Sequence, residues 1–358
     1  MKLFFVVGTR PNLIKLSPIL NAVKSYPLLD IKVVHTSQHF DYNMSLVFFE
    51  ELEMPQPNFF LETDNSSHAK QTASIMVSFE ELCLKEKPDG VVVFGDVNST
   101  LAAALVAAKL NIFSFHIESG LRSFNRTMPE EINRLVTDHI CNMLYAPSQT
   151  AMLNLKNEGL TGKALFTGDI MYDAVKRNIV LAESKSVILK TLDLIPNEYF
   201  ITTLHRPYNV DNEDVLKDII AAFSEVKEKI VFAVHPRTYK NISQFGIKLP
   251  LNIITTEPLG YFDFLQLQKN AKKIITDSGG IQKEAFFIHK PCITLRPETE
   301  WVETVQCKAN ILVKSRKKDE IIKAIFEKQE ADFSKNIYGD GNSSALILDN
   351  IEKVILDK

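Results

Sequence analysis

Short runs of Val, Ile and Phe recur along this chain, and polar or ionisable residues gather just after each run. LFFVV gives way to Gly8-Thr9-Arg10, VVVF to Gly95-Asp96, and IFSFHI to Glu118-Ser119-Gly120. FITTL leads to His205-Arg206, VFAV to His235-Pro236-Arg237, IIT to Asp277-Ser278-Gly279-Gly280, and CITL to Arg296. Apolar runs of this length, separated by helical periodicity, predict strands buried on both faces of a parallel sheet. In the first half the strands are expected at 3–7, 31–35, 90–94, 112–117, 143–146 and 164–167. Amphipathic stretches such as 13–25, 71–85, 99–109 and 130–142 separate them. A second alternating series is expected at 199–204, 230–234, 252–255, 273–276, 291–295 and 310–313. The class is therefore α/β, with two Rossmann-like, doubly wound domains facing each other across a cleft. The expected boundaries are 1–170 for the first domain and 171–342 for the second. Residues 343–358 are expected to form a closing helix packed back on the first. Ligands of such sheets sit beyond the carboxyl ends of the strands, where the polar residues are found.

Composition narrows the class. The 358 residues suit two domains, and 45% hydrophobic content supports a substantial core. A net charge of −3, well mixed, gives no basic field for nucleic acid. No apolar stretch approaches the roughly 20 residues of a membrane helix, so no membrane partner is expected. Cys83, Cys141, Cys292 and Cys307 form no CxxC or metal spacing, which fits reduced thiols in the cytoplasm.

Candidate chemistry follows from the strand ends. In DSGGIQKEA, Ser278, Gly279 and Gly280 open a helix whose free N–H groups suit a pyrophosphate. Glu284, four residues on, then reaches a sugar hydroxyl; the alternative is an ordinary Ser-capped helix. Arg10 is a planar cation at the first strand end, with Lys15 a turn further, suited to phosphate or to a neighbouring acid. Asp96 and Glu118 are acids at the ends of buried strands. Glu130 and Glu131 fall in a helical first turn, where the dipole alone accounts for them, and Glu130 is i,i+4 to Arg134. His205, beside Arg206, is placed to exchange protons, and His235 with Arg237 repeats the arrangement. His35 and His39 lie near the second strand, where a loop role is equally open. No GxGxxG follows a strand, so no dinucleotide cofactor is expected.

Taken together, GTRPNLIK, HTSQHFDYNMS, FGDVNST, HIESGLRSFNRTMPEEINR, TGDIMYDA, TLHRPYNVDN, HPRT, EPLGY, TDSGGIQKEA and TLRPETEWVE occur in order from Gly8 to Glu303. This set resembles the non-hydrolysing UDP-N-acetylglucosamine 2-epimerases over nearly the whole chain. The resemblance implies a GT-B architecture, a homodimer, a UDP-sugar in the interdomain cleft and a role in surface polysaccharide precursor synthesis. It implies elimination of UDP to 2-acetamidoglucal and re-addition, with no metal or redox cofactor. Carried over on these motifs, Arg10, Ser278, Gly279 and Gly280 clamp the diphosphate and Glu284 meets the ribose. Asp96, Glu118, Glu130 and His205 form the acid–base group. Lys15, Arg122, Glu131, Arg134, Arg206, Arg237, Arg296 and Glu300 complete the implied substrate contacts. Gln38, His39, Arg206 and His235 match an activating substrate site, although Phe40 and Lys70 replace residues that are commonly Arg there.

The stretches GTRPN, HRPYN and ETEWVE depart from the commonest family pattern. They are similar to the branch acting on UDP-2,3-diacetamido-2,3-dideoxyglucuronate. A uronate would require a further cation, for which Lys15, Arg122 and Arg206 are the candidates. From another class, a GT-B UDP-sugar glycosyltransferase would use the same UDP grip with an acceptor. An idle nucleotide-sugar binder is the third reading.

Overall fold

A computed structural model describes residues 1–38, 49–257 and 259–357. The chain divides into two compact units, Met1–Arg177 with Asn336–Lys358, and Asn178–Lys335. The division differs from the boundaries at 170 and 343. Helix Ile170–Lys185 runs through the first one uninterrupted, and the chain rejoins the first unit before its last helix begins.

The first unit holds a seven-stranded sheet in the order β3-β2-β1-β4-β5-β6-β7. Its strands are β1 Lys2–Val7, β2 Asp30–His35, β3 Phe59–Phe60, β4 Gly90–Phe94, β5 Phe113–Ile117, β6 Met143–Ala146 and β7 Ala164–Phe166. Every pairing is parallel; Phe5 of β1 is in register with Val92 of β4, and Val92 with Phe115 of β5. Strand β3 was not among those expected. Two residues at a sheet edge carry no readable alternation.

The second unit holds six strands in the order β10-β9-β8-β11-β12-β13. They are β8 Tyr199–Thr203, β9 Lys229–Ala233, β10 Ile253–Thr256, β11 Lys273–Thr276, β12 Cys292–Thr294 and β13 Asn310–Leu312, again all parallel. Two apolar clusters cover its faces, one around Phe200, Phe223 and Phe232, the other around Tyr199, Ile201 and Leu267. Helix Glu213–Phe223 shows how its sequence builds one layer. Asn212 caps it by accepting the Val215 N–H at 3.1 Å, Glu213 and Asp214 complement its dipole, and Leu216, Ile219, Ile220 and Phe223 are buried. Each such side chain contributes roughly 1.5–3 kcal/mol on leaving water.

Both sheets reverse strand order at one place, between β1 and β4 in the first and between β8 and β11 in the second. Beyond these reversals the loops diverge to opposite faces and leave a crevice at the strand ends. Arg10, Asp96, His205 and Asp277 all follow strands that flank a reversal.

The last helix, Ser343–Leu356, belongs to the first unit and buries Ile347, Leu348 and Ile351. Asp173 holds its start, accepting the N–H groups of Ser343 at 3.0 Å and Ser344 at 2.7 Å. Tyr26 donates to Asp349 at 2.7 Å, and Tyr145 to Asn350 at 2.9 Å. The four cysteines are buried and free. Among the described residues no helix is long and apolar enough to cross a membrane.

Candidate active site

In the first unit, the turn after β1 starts helix Arg10–Ala22 with Pro11 in its first turn. Asn12 braces this turn, accepting from Gly8 N–H at 3.3 Å and donating to the Phe94 carbonyl at 3.3 Å. Arg10 is exposed, whereas Lys15 is buried and forms an ion pair with Glu118. Glu118 adopts a left-handed φ of 69°, a conformation of some cost for a residue with a side chain. Gly95, φ 62°, lies against this pair: a Cβ there would stand 3.0 Å from Glu118 Oε2 and 3.2 Å from Lys15 Nζ. Glycine suits that turn on both counts.

Asp96 follows β4, next to β5 and Glu118. Its carboxylate meets Arg134 at 2.5 Å, and its carbonyl accepts from Asn133 at 2.9 Å. Arg134 turns to Asp96 and, at 2.9 Å, to Glu131. Glu130 stays half-buried in the first turn of helix Pro129–Ile140.

Three expected substrate contacts in this unit are internal braces. Glu131 is 1% exposed, and its oxygens accept the N–H groups of Ser123 at 2.9 Å and Phe124 at 3.0 Å, besides Arg134. Arg122 is buried against Asp138 at 2.8 Å and fork-to-fork on Glu158 at 2.6 and 2.7 Å. A guanidinium so matched has little left for a sugar carboxylate. Gln38 accepts from the N–H of Ser99 at 2.9 Å and its hydroxyl at 2.7 Å, fixing the start of helix Asn98–Lys109. His39, Phe40 and the rest of the HFDYNMS segment lie outside the described residues. His35 is buried in β2, its Nδ1 accepting the Ser37 N–H at 3.1 Å.

In the second unit, β8 and β11 pair side by side and bring His205 to Asp277. The His205 Nδ1 stands 3.0 Å from Asp277 Oδ1, and the carboxylate also accepts the N–H groups of His205 and Arg206 and the Asn209 amide. Burial would raise the Asp277 carboxyl, but these donors hold it below the usual carboxylate range. An ionised Asp277 takes Nδ1–H and leaves Nε2 of the half-exposed His205 for proton exchange. Asp277 and Asn209 were not among the expected site residues. Both stand inside quoted motifs, where an acid directly after a buried strand was the available signal for Asp277. His235 lies with its ring 6.0 Å from that of His205, and burial followed by the nearby His205 and Arg237 charges lowers its pKa. Arg237 is exposed and paired with Asp211.

Helix Gly279–Phe287 starts directly after Ser278. The Ser278 N–H is already donated to Thr276 Oγ1 at 3.0 Å, so the helix mouth rests on Gly279 and Gly280. At Gly279 a Cβ would come within 2.6 Å of Glu300 Oε1, while at Gly280 it would meet open space. Glu284 is buried and accepts from Gln268 at 2.8 Å. Arg296, 2% exposed, pairs with Glu300 at 3.0 Å and bonds Tyr208, leaving Nε and Nη1 without partners. The Arg316 guanidinium stands 5.2 Å from the centre of the Tyr208 ring, and Nε of both Arg206 and Arg316 lacks a partner. These buried donors suit an anion.

The family model for UDP-N-acetylglucosamine 2-epimerase matches residues 21–352. The chain belongs to this epimerase family. A Methanococcus maripaludis protein named UDP-N-acetylglucosamine 2-epimerase homolog is 46% identical over 98% of this chain and 99% of its own. The UDP-2,3-diacetamido-2,3-dideoxy-D-glucuronate 2-epimerase of Pseudomonas aeruginosa is 40% identical over 99% of this epimerase-family chain and 100% of its own. Among solved structures, Methanocaldococcus jannaschii UDP-GlcNAc 2-epimerase, in complex with UDP-GlcNAc and UDP, superposes with a TM-score of 0.89. It is 43% identical and covers 99% of this chain and 100% of that one. The two-sheet α/β architecture is thus the fold of this family.

Proposed function

We propose that this chain inverts C2 of a UDP-2-acetamido sugar, interconverting UDP-N-acetylglucosamine and UDP-N-acetylmannosamine without hydrolysis. The observation that carries the reading is the pair of acids Asp96 and Glu118, at the ends of adjacent strands and each held by its own cation. The C2–H of such a sugar is not acidic, because C2 bears an amide nitrogen and no carbonyl neighbours it. Inversion then proceeds by elimination: a carboxylate takes the C2 proton, the C2–H electrons form C1=C2, and the C1–O bond breaks to release UDP. Re-addition of UDP, with a proton delivered to the other face, gives the epimer. Glu130 and His205 complete the acid–base set, while Arg10, Gly279 and Gly280 receive the diphosphate, whose charge is met by cations and backbone N–H groups. The family resemblance further supports a cytoplasmic homodimer that supplies polysaccharide precursors. In deuterium oxide, product and recovered substrate acquire deuterium at C2; epimer formed without exchange removes the elimination route. Sugar transfer to an acceptor with no epimer would instead make the chain a glycosyltransferase.

A second reading, inversion of the diacetamido-uronate, has its own observation. Arg206, Arg296 and Arg316 gather at Tyr208 with four buried, unpartnered N–H nitrogens, near the carboxylates of Glu300 and Asp277. A sugar carboxylate would satisfy those donors. Parallel assay of the two UDP-sugars decides, and Arg316→Met should impair only the uronate.

A further inference from the structure

His116 is fully buried in β5 and has an acceptor at each ring nitrogen. Nδ1 is 2.7 Å from Asp138 Oδ1, and Nε2 is 2.7 Å from the Gly95 carbonyl oxygen. A carbonyl oxygen can only accept, so Nε2 bears a proton. Asp138 already accepts the Gly120 N–H at 3.0 Å and Arg122 Nη1 at 2.8 Å through its other oxygen. Arg122 and the Gly120 N–H at that oxygen hold Asp138 as an ionised carboxylate. An ionised carboxylate has no proton to give, so Nδ1 must donate as well. The charges in this pocket then balance, with His116 and Arg122 against Asp138 and Glu158. Lys163, half-buried, adds a further cation that acts on Asp138, while Cys141 stays neutral. Burial raises the Cys141 thiol to about 12, and Lys163 donates to the carbonyls of Cys141 at 2.6 Å and His139 at 2.9 Å.

We infer that His116 is a buried imidazolium whose second proton positions Asp96 for catalysis. The Gly95 carbonyl belongs to the peptide that leads into Asp96, and the Gly95 N–H donates to Ile117 at 2.9 Å. Residues 116 and 117 of β5 thereby hold Gly95 at both its N–H and its carbonyl. Helix Pro129–Ile140 completes the frame, because it carries Asp138 for the imidazole, Arg134 for the Asp96 carboxylate and Asn133 for the Asp96 carbonyl. Without the Nε2 proton, a lone pair would face the Gly95 oxygen and the peptide would turn away. A displacement of about 1 Å at a reacting group costs on the order of a hundredfold in rate.

The inference rests on the epimerase reading for what Asp96 does, and its test has one readout that does not. In nitrogen-15 spectra of the unmodified protein at neutral pH, one imidazole should show both ring nitrogens protonated, and that signal should vanish in His116→Gln. The Gln side chain keeps a donor for one acceptor only. Its kcat for C2 inversion should fall roughly ten- to a hundredfold, with KM within about a factor of two. A neutral His116 ring overturns the inference, as does an unchanged kcat in folded His116→Gln. If that variant does not fold, the spectrum of the unmodified protein decides alone. Absence of epimerase activity in the unmodified protein would sink the functional reading while leaving the state of the ring as measured.

Discussion

The ammonium of Lys15 and the carboxylate of Glu118 form an ion pair whose side chains are only 10% and 7% exposed. One comes from the helix after β1, the other from the turn after β5, so two separate chain segments must agree for either charge to be tolerable. Removing one partner of such a pair costs roughly 3–5 kcal/mol, because the other charge is stranded. Lys15→Met should therefore lower the unfolding midpoint more than the double variant Lys15→Met/Glu118→Gln, measured by calorimetry. Glu118→Gln alone should nearly abolish C2 inversion while UDP still binds, and wild-type turnover in that variant would remove Glu118 from the acid–base set.

Asp277 fixes the tautomer of His205, so an amide in its place should free the ring to turn. Asp277→Asn is expected to lower kcat by about 10² to 10⁴, the scale at which a miscast tautomer acts in hydrolytic triads. The dissociation constant for UDP should move far less. Single-turnover kinetics beside UDP titration separate the two effects, and equal losses in both would reduce Asp277 to a structural brace.

The two helix-mouth glycines predict different outcomes for the same substitution. Gly280→Ala adds a methyl to open space, so the ligand-free protein should keep its unfolding midpoint. If a diphosphate seats against that backbone, UDP affinity should nevertheless drop at least roughly tenfold, about 1.4 kcal/mol. Gly279→Ala drives a carbon against Glu300 and should lower the midpoint without any ligand. Unchanged UDP affinity in Gly280→Ala would place the phosphates elsewhere.

His35 gives a pH dependence of stability. Burial lowers its pKa from 6.5 to about 4, so between those values the unfolded chain binds a proton that the folded one refuses. Stability therefore falls as the solution is acidified through that window, by about 3–4 kcal/mol in all at roughly 1.4 kcal/mol per unit. Denaturant titrations at pH 7, 5.5 and 4.5 on His35→Phe should show a shallower decline than on the unmodified chain.

Much of the fold was legible because buried parallel strands are written as runs of Val, Ile and Phe, as in β1 and β4. Strand β3 was not, since two edge residues leave no pattern. At the site, residue type at a strand end announced a polar environment but not the partner. Arg122 was expected at the sugar, yet its partners Asp138 and Glu158 lie far along the chain and only folding brings them near. The same blindness hid Asp277, whose task is to hold His205 from across the sheet. Glu131 looked like an active-site acid beside Glu130, but helical geometry aims it at the 123–124 loop.

The embrace of residues 343–356 by the first unit has a bearing on biosynthesis. Ile347, Leu348 and Ile351 fill space in a body most of whose residues were translated before Asn178. A nascent chain halted anywhere in the second sheet would expose that apolar seat. Premature stop codons near the end should thus yield aggregation-prone products, although the lost segment carries no acid–base group.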